Sequence, residues 1–248
     1  MSTLRSSATD GQVRGRHYRY YDLLLAGFVT VLLCSNLIGP AKVGEIGVPF
    51  VGVALVFGAG NLFFPISYIF GDVLTEVYGY ARARRVIWAG FMAMAFATFM
   101  TFVVIRLPVS PEEPFNADLQ PALEIVFGNT WRIVIASMVA FWAGDFVNAY
   151  VMARMKVATR GRWLWTRTIG STLVGQGVDS LIFYPIAFGG IWASETLAAV
   201  VAFNWAFKVG VEVVMTPATD AAVAWLKRRE REDFYDTDTD FTPFSLKD

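Results

Sequence analysis

Histidine and cysteine are nearly absent from this 248-residue chain, which has one of each, His17 and Cys34. A single cysteine excludes a disulfide framework within the chain, and a single histidine excludes a Cys/His zinc site. His17 lies in a basic, polar head and reads as a solvated residue. Charge is scarce too: 17% of residues carry it, against about 25% in ordinary soluble domains. Hydrophobic residues reach 55% and the mean hydropathy is +0.47, so the composition suits lipid rather than water as the main solvent. Neither a GxSG serine-protease signature nor a histidine pair for acid-base work is present, which argues against an intramembrane enzyme. No cofactor, metal or nucleic-acid partner is expected.

The charge that is present is segregated. Sixteen of the 21 Lys and Arg fall in four clusters. These are Arg5, Arg14, Arg16 and Arg19; Arg82, Arg84 and Arg85; Arg154, Lys156, Arg160, Arg162 and Arg167; and Lys227, Arg228, Arg229 and Arg231. Between them lie six apolar segments, 23–40, 60–78, 86–107, 131–155, 165–186 and 198–226, each near the roughly 20 residues that cross about 30 Å of hydrocarbon. Cytoplasmic loops collect Lys and Arg. The basic clusters alternate with the Lys42 turn, the loop bearing Glu112, Glu113, Asp118 and Glu124, and the Glu195 turn. That alternation predicts six spans with both termini in the cytoplasm of a cell with an inner membrane.

Three parts follow: a basic head at 1–21, a six-span membrane domain at 22–226, and a cytoplasmic tail at 227–248. The head is long for a signal peptide and no convincing small-residue cleavage site follows the first apolar run, so that run is expected to be a retained membrane segment. Pro108, Pro111, Pro114 and Pro121 predict an irregular outer loop. Trp131, Trp163, Trp165 and Trp192 sit where interfacial aromatics belong. The acidic, turn-rich tail predicts disorder. Between the first two spans, glycines interrupt VGEIGVPFVGVALVFGAG, and the apolar run from Val48 to Tyr80 is too long for one helix. A short hairpin over 44–60 is therefore expected before the second span.

If that span begins at Gly60, Asp72 lies about 18 Å in, near mid-bilayer. The same arithmetic puts Asp145 and Asp179 about 21 Å from the ends of their spans, and Lys208 about 15 Å. Intramembrane charges each cost a few kcal/mol facing lipid, so they are expected to face one another, a cavity or water. Asp72 and Glu76 are spaced i, i+4, as are Lys208 and Glu212, with Asn204 and Thr216 extending that second stripe. Glu76 has a structural reading, pairing with Arg82 or Arg85, and Lys208 with Glu212 has another, mutual neutralisation. Ser171, Thr172, Gly175, Gln176 and Asp179 share a face of the fifth span, where small residues favour close helix packing. Deep carboxylates outnumber deep cations, with Asp72, Glu76, Asp145, Asp179 and Glu212 against Lys208. A ligand rich in N–H groups, a cationic ligand, or protons would complement them. GDFVNAYVMAR at 144–154 also echoes GDVLTEVYGYAR at 71–82, an echo too short to establish an internal repeat.

Four stretches, GNLFFPISYIFGDVLTEVYGYARARRVIWAGF, GDFVNAYVMARMK, GRWLWTRTIGSTLVGQGVDSLIFYPIAF and FKVGVEVVMTPAT, together resemble the vitamin uptake transporter family and its queuosine precursor transporters. The resemblance covers about residues 30–226. It implies an all-α integral membrane protein, a six-helix bundle like the S components of energy-coupling-factor transporters, working without their ATPase module. The implied substrates are purine-like, 7-deazaguanine bases or queuine, taken up for tRNA modification. The alternative reading is an S-component-like subunit for another vitamin-like molecule that needs such a module. A homodimer stays open, as does an energising partner. For such a base, a carboxylate would accept the guanine-like edge in a bidentate manner. Asn148, Gln176 or Lys208 would satisfy its carbonyl, and Phe64, Tyr68, Trp142 or Phe183 would stack. The substrate-binding residues expected are therefore Asp72, Glu76, Asp145, Asn148, Gln176, Asp179, Lys208, Glu212, Phe64 and Tyr68.

Overall fold

The computed structural model describes residues 18–38, 43–50, 53–58, 63–128 and 131–245. Among them the chain forms α1 (Tyr21–Leu37), β1 (Val43–Phe50), β2 (Val53–Gly58), α2 (Phe64–Tyr78), α3 (Tyr80–Arg106), α4 (Asn116–Phe127), α5 (Trp131–Ala158), α6 (Leu164–Phe188) and α7 (Ser194–Glu230). Each apolar segment expected from the sequence coincides with a helix. By length and apolarity three helices qualify to cross a membrane: α3, α5 from Arg132 onward, and α7. α1 is apolar but has 17 residues. Large apolar side chains such as Phe96, Phe99, Leu181, Phe203 and Val214 stand exposed on the outer faces of α3, α6 and α7, a surface made for lipid rather than water. The protein is a helical membrane protein.

The all-α expectation needs one amendment, because residues 43–58 form an antiparallel hairpin. Val43 pairs with Gly58, Glu45 with Val56, Ile46 with Leu55 and Phe50 with Val53. Glycine disfavours a helix here and the Val and Ile residues favour strand. The hairpin ends one run and α2 starts afresh at Phe64, with a proline in its first turn where the missing N–H costs nothing. Asp72 consequently stands about 12 Å along a short helix.

Two further expectations are corrected. The outer loop is not irregular throughout, since ADLQPALEIVF contains enough Ala, Leu, Gln and Glu to form α4 around Pro121. Gln120 Nε2 ties it to the end of α3 by donating to the Ile105 carbonyl at 3.0 Å. Secondly, residues 231–245 pack as an extended strap against the bundle. Its acidic composition conceals Phe234, Tyr235, Phe241 and Phe244, which supply the apolar surface that a disordered tail lacks. The Phe241 ring lies 5.0 Å from Tyr80 and 5.2 Å from Tyr150, and Phe244 lies 6.0 Å from Trp88.

What the strap grips is the elbow between α2 and α3. Gly79 turns there with φ +85°, a conformation open to glycine, and a Cβ on it would overlap the Phe234 ring. The elbow leaves helix-end groups without helical partners. Phe234 N–H donates to the Val77 carbonyl at 3.3 Å, and the Asp236 carboxylate accepts from Tyr80 N–H at 3.0 Å. Arg84 donates to the carbonyls of Asp240 and Thr242 at 2.7 and 2.8 Å.

The apolar core runs through α1, α2, α3, α5 and α7, with Phe28, Leu74, Val77, Val86, Phe146 and Leu226 among its buried members. α5 and α6 make the most extensive helix pairing. Its cause is a reciprocal glycine contact. A Cβ on Gly175 would meet Asn148 Cβ at 2.8 Å and the Gly144 carbonyl at 3.0 Å, and one on Gly144 would meet Asp179 Cβ at 2.9 Å. This close approach sets the neighbours of those glycines, Asp145 and Gln176, beside each other at the bundle centre.

Candidate functional site

Tyr68, Asp72 and Glu76 recur at every fourth position of α2 and so share one helical face. α5 contributes Asp145 and Asn148, α6 contributes Gln176 and Asp179, and α7 contributes Asn204, Lys208 and Glu212. These groups do not form one site. They sort into three levels.

The first level is a cavity of about 230 Å³. Its aromatic wall is Tyr68, Phe141, Phe183 and Tyr184; its charged wall is Asp145, Asp179 and Lys208, with Gln176, Asn36 and Asn204 completing the polar lining. Lys208 Nζ donates to Asp179 Oδ2 at 2.6 Å, joining α7 to α6. The expected Lys208–Glu212 pair is thus not the one formed, because Asp179 lies closer to the lysine head than a residue one turn further along its own helix. No hydrogen bond or ion pair among the described residues engages the Asp145 carboxylate, which opens into the cavity. Ser137 Oγ donates to Asn36 Oδ1 at 3.3 Å, holding α5 to α1 across the rim.

Behind this lies a cleft of about 20 Å³, which shares Ser67, Tyr68, Asp145 and Gln176 with the cavity and is also lined by Gly71, Thr75 and Asn148. Asn148 Nδ2 donates to Asp72 Oδ1 at 3.2 Å. Asp72 is 1% exposed and Glu212 0%. Asp72 Oδ2 and both Glu212 carboxylate oxygens find no hydrogen-bond partner among the described residues, nor do Asn148 Oδ1 and Gln176 Oε1.

The third level holds Glu76, expected among the substrate-binding residues, which the structure surrounds with cations. Its carboxylate, 0% exposed, accepts from Arg167 Nε and Nη2 at 2.7 Å each and from Lys227 Nζ at 2.6 Å, with Lys156 Nζ at 3.5 Å. Bidentate pairing to a planar guanidinium satisfies both oxygens. Neither Arg82 nor Arg85 is the partner that the loop spacing suggested. Lys156 also donates to the Glu76 carbonyl, to Asp233 Oδ1 at 2.6 Å and to the Phe234 carbonyl at 2.7 Å, which locks the strap to the ends of α2 and α5. Partial burial acts to raise the Asp233 carboxyl, but the hydrogen bonds from Lys156 and Lys227 outweigh it and hold the group below its usual range.

Of the other expected residues, Asp145, Gln176, Asp179, Lys208 and Tyr68 line the cavity, and Asn148 lines the cleft. Phe64 opens α2, but its side chain lies outside the described residues. Trp142 packs against Phe146, Trp88 and Phe244 instead of the cavity. Sequence reasoning missed Ser35, Asn36, Ser137 and Tyr184. The Ser35-Asn36 pair inside the first apolar run was a usable signal, since an amide in a lipid-facing run needs a reason.

A family model described as "Putative vitamin uptake transporter" matches residues 58–222, which include every site residue named above from α2 to Glu212. The chain is 31% identical over 207 residues to the "Probable queuosine precursor transporter" of Bacillus subtilis (strain 168), covering 83% of this chain and 84% of that one. It is 27% identical over 177 residues to the "Queuosine precursor transporter" of Escherichia coli (strain K12), covering 68% and 73%. No solved structure matches the chain.

Proposed function

The chain belongs to the vitamin uptake transporter family, and we propose that it imports queuosine precursors, 7-deazaguanine bases or queuine, across the inner membrane for salvage into tRNA modification. It is a transporter and not an enzyme. We assign it six spans, α1, α2, α3, α5, α6 and α7, in an S-component-like bundle, with both termini cytoplasmic and the basic clusters on that side. The cavity of about 230 Å³ carries the substrate reading. It is smaller than the roughly 300–1,000 Å³ of pockets for drug-sized ligands, which suits one bicyclic base.

In this reading the unengaged Asp145 accepts the ring N–H and exocyclic amine of the guanine-like edge, a bidentate, charge-assisted contact. Gln176 or Lys208 donates to the base carbonyl, and Tyr68, Phe183 or Tyr184 stacks on the flat ring. Asp179 holds Lys208 in position. Asp72, Asn148 and Glu212 stand behind the binding wall. The test is uptake of labelled queuine or a 7-deazaguanine base by cells that cannot synthesise these bases and lack other importers. Expression of the chain should restore label in tRNA, and Asp145→Asn should abolish it while the protein still inserts. No uptake by the well-inserted wild-type protein would refute the proposal.

A further inference from the structure

We infer that the substrate site has a second chamber, which takes the substituent at C7 of the base, and that this chain accordingly binds queuine in preference to 7-deazaguanine bases with no ring at that position. The inference rests on the import reading above and names the substrate within it.

A cavity of about 180 Å³ adjoins the one already described. It lies between the last turn of α1, residues 94–98 of α3 and residues 133–138 of α5. Asn36, Ser137 and Phe183 line both cavities, and so form the partition between them. The first cavity alone is smaller than the roughly 300–1,000 Å³ of pockets for drug-sized ligands; with the adjoining chamber the space enters that range. A base with a bulky arm needs the larger space, and a bare base does not.

The lining of the second chamber selects the chemistry of that arm. Eight of its eleven lining residues are apolar and none is charged. The other three, Asn36, Thr98 and Ser137, supply one amide and two hydroxyls. Such walls suit a small hydrocarbon ring carrying hydroxyls, because the ring carbons are buried against apolar side chains and each hydroxyl finds a partner. They disfavour a charged or strongly polar group. Queuine has a substituent of the suitable kind, a cyclopentene diol on an aminomethyl arm.

The partition can admit the arm. Asn36 Nδ2 donates to the Leu32 carbonyl at 2.9 Å, which turns Oδ1 toward Ser137. The Ser137 hydroxyl donates to that oxygen at 3.3 Å, longer than the usual 2.5–3.0 Å between two oxygens. An N–H of the arm can take Oδ1 in its place, and the released Ser137 hydroxyl is then free to meet the diol. Phe183, in the same partition, stacks on the base.

Counterflow in proteoliposomes of the full-length protein tests the chamber, with queuine compared against 7-aminomethyl-7-deazaguanine, which carries the arm without the ring. In the wild type, half-inhibition should require at least about tenfold less queuine than aminomethyl base. Ala97→Phe fills the chamber from α3 and should raise the queuine value at least about tenfold, while the aminomethyl base stays within about threefold. Thr98→Val keeps the shape and removes a hydroxyl, and should raise the queuine value roughly three- to tenfold. This second variant carries the test if the first does not insert. Equal values for the two bases in the wild type would overturn the inference, as would a Thr98→Val variant that leaves queuine unchanged, or an Ala97→Phe variant that inserts and shifts both bases alike. Counterflow of the aminomethyl base without any preference for queuine would leave the import reading standing, whereas counterflow of neither base by well-inserted wild type would refute that reading itself.

Discussion

Replacing Glu76 by glutamine removes the one buried anion on which Arg167, Lys227 and Lys156 converge. Its carboxylate is 0% exposed, and Arg167 and Lys156 are each 1% exposed. With Glu76 ionised, two acids, Glu76 and Asp233, face three cations. In Glu76→Gln the 45% exposed Asp233 is left to serve Lys156 and Lys227, and Arg167 loses its carboxylate. Breaking a buried ion pair from one side costs about 3–5 kcal/mol, because the partner charge stays buried. In a chain of this size each kcal/mol lowers the melting temperature by roughly 2–4 °C, so a fall of roughly 6–20 °C is expected. The assay is thermal denaturation of detergent-solubilised protein, with queuine binding to the folded fraction measured at low temperature. Adding Lys227→Met removes one surplus cation and should recover part of the loss, a coupling that a double-mutant cycle reads directly. A melting shift below about 2 °C together with lost binding would refute the reasoning and return Glu76 to the substrate.

Gly175→Val should cost at least about 1–3 kcal/mol and impair uptake, since its Cβ would press on the Gly144 carbonyl and Asn148, and backbone cannot give way as a flexible side chain can. Truncation after Glu232 removes Asp233 from Lys156 and Asp236 from Tyr80 N–H; lower melting and faster tryptic cleavage at Arg82–Arg85 are expected. The folded Asp233 carboxyl lies below its ordinary 3.8, so its stabilising contribution is present above that value and is lost as pH falls through the folded one. Melting curves of wild type and Asp233→Asn should therefore differ at neutral pH and converge at strongly acidic pH. Asp179→Asn leaves Lys208, 12% exposed, without its carboxylate beside the cavity, and uptake at normal membrane insertion should fall at least about tenfold.

Helix positions were legible because uniformly apolar runs between charge clusters leave few alternatives. The strap was not. Its partners, the Tyr80 N–H and the Val77 carbonyl, are orphan groups created by an elbow at Gly79, more than 150 residues away in sequence. Composition averaged the four aromatics of the tail into an acidic background. The cavity was legible in part: Asp145, Gln176 and Asp179 stand out as polar groups in apolar helices, and the Gly144–Gly175 contact that joins them belongs to a small-residue pattern visible in each helix. Ser137 and Tyr184 look like ordinary residues of their helices until α1 and α5 are brought together.

Periodicity gives the face of a helix but not what stands opposite it at each depth, and α2 shows the difference. Tyr68, Asp72 and Glu76 lie on one stripe spanning about 12 Å at 1.5 Å per residue. That common face was read as a common site. Yet Tyr68 borders the cavity, Asp72 sits sealed with the Asn148 amide on it, and Glu76 is held by Arg167 and Lys227, which lie 91 and 151 residues further along the chain. A carboxylate takes its role from the nearest donors. Glu76 meets three cations and becomes a structural tie, whereas Asp72, one turn nearer the cavity, meets a single amide. The same residue chemistry, four positions apart, is thereby divided between a carboxylate that ties four elements together and one that is sealed against a single amide.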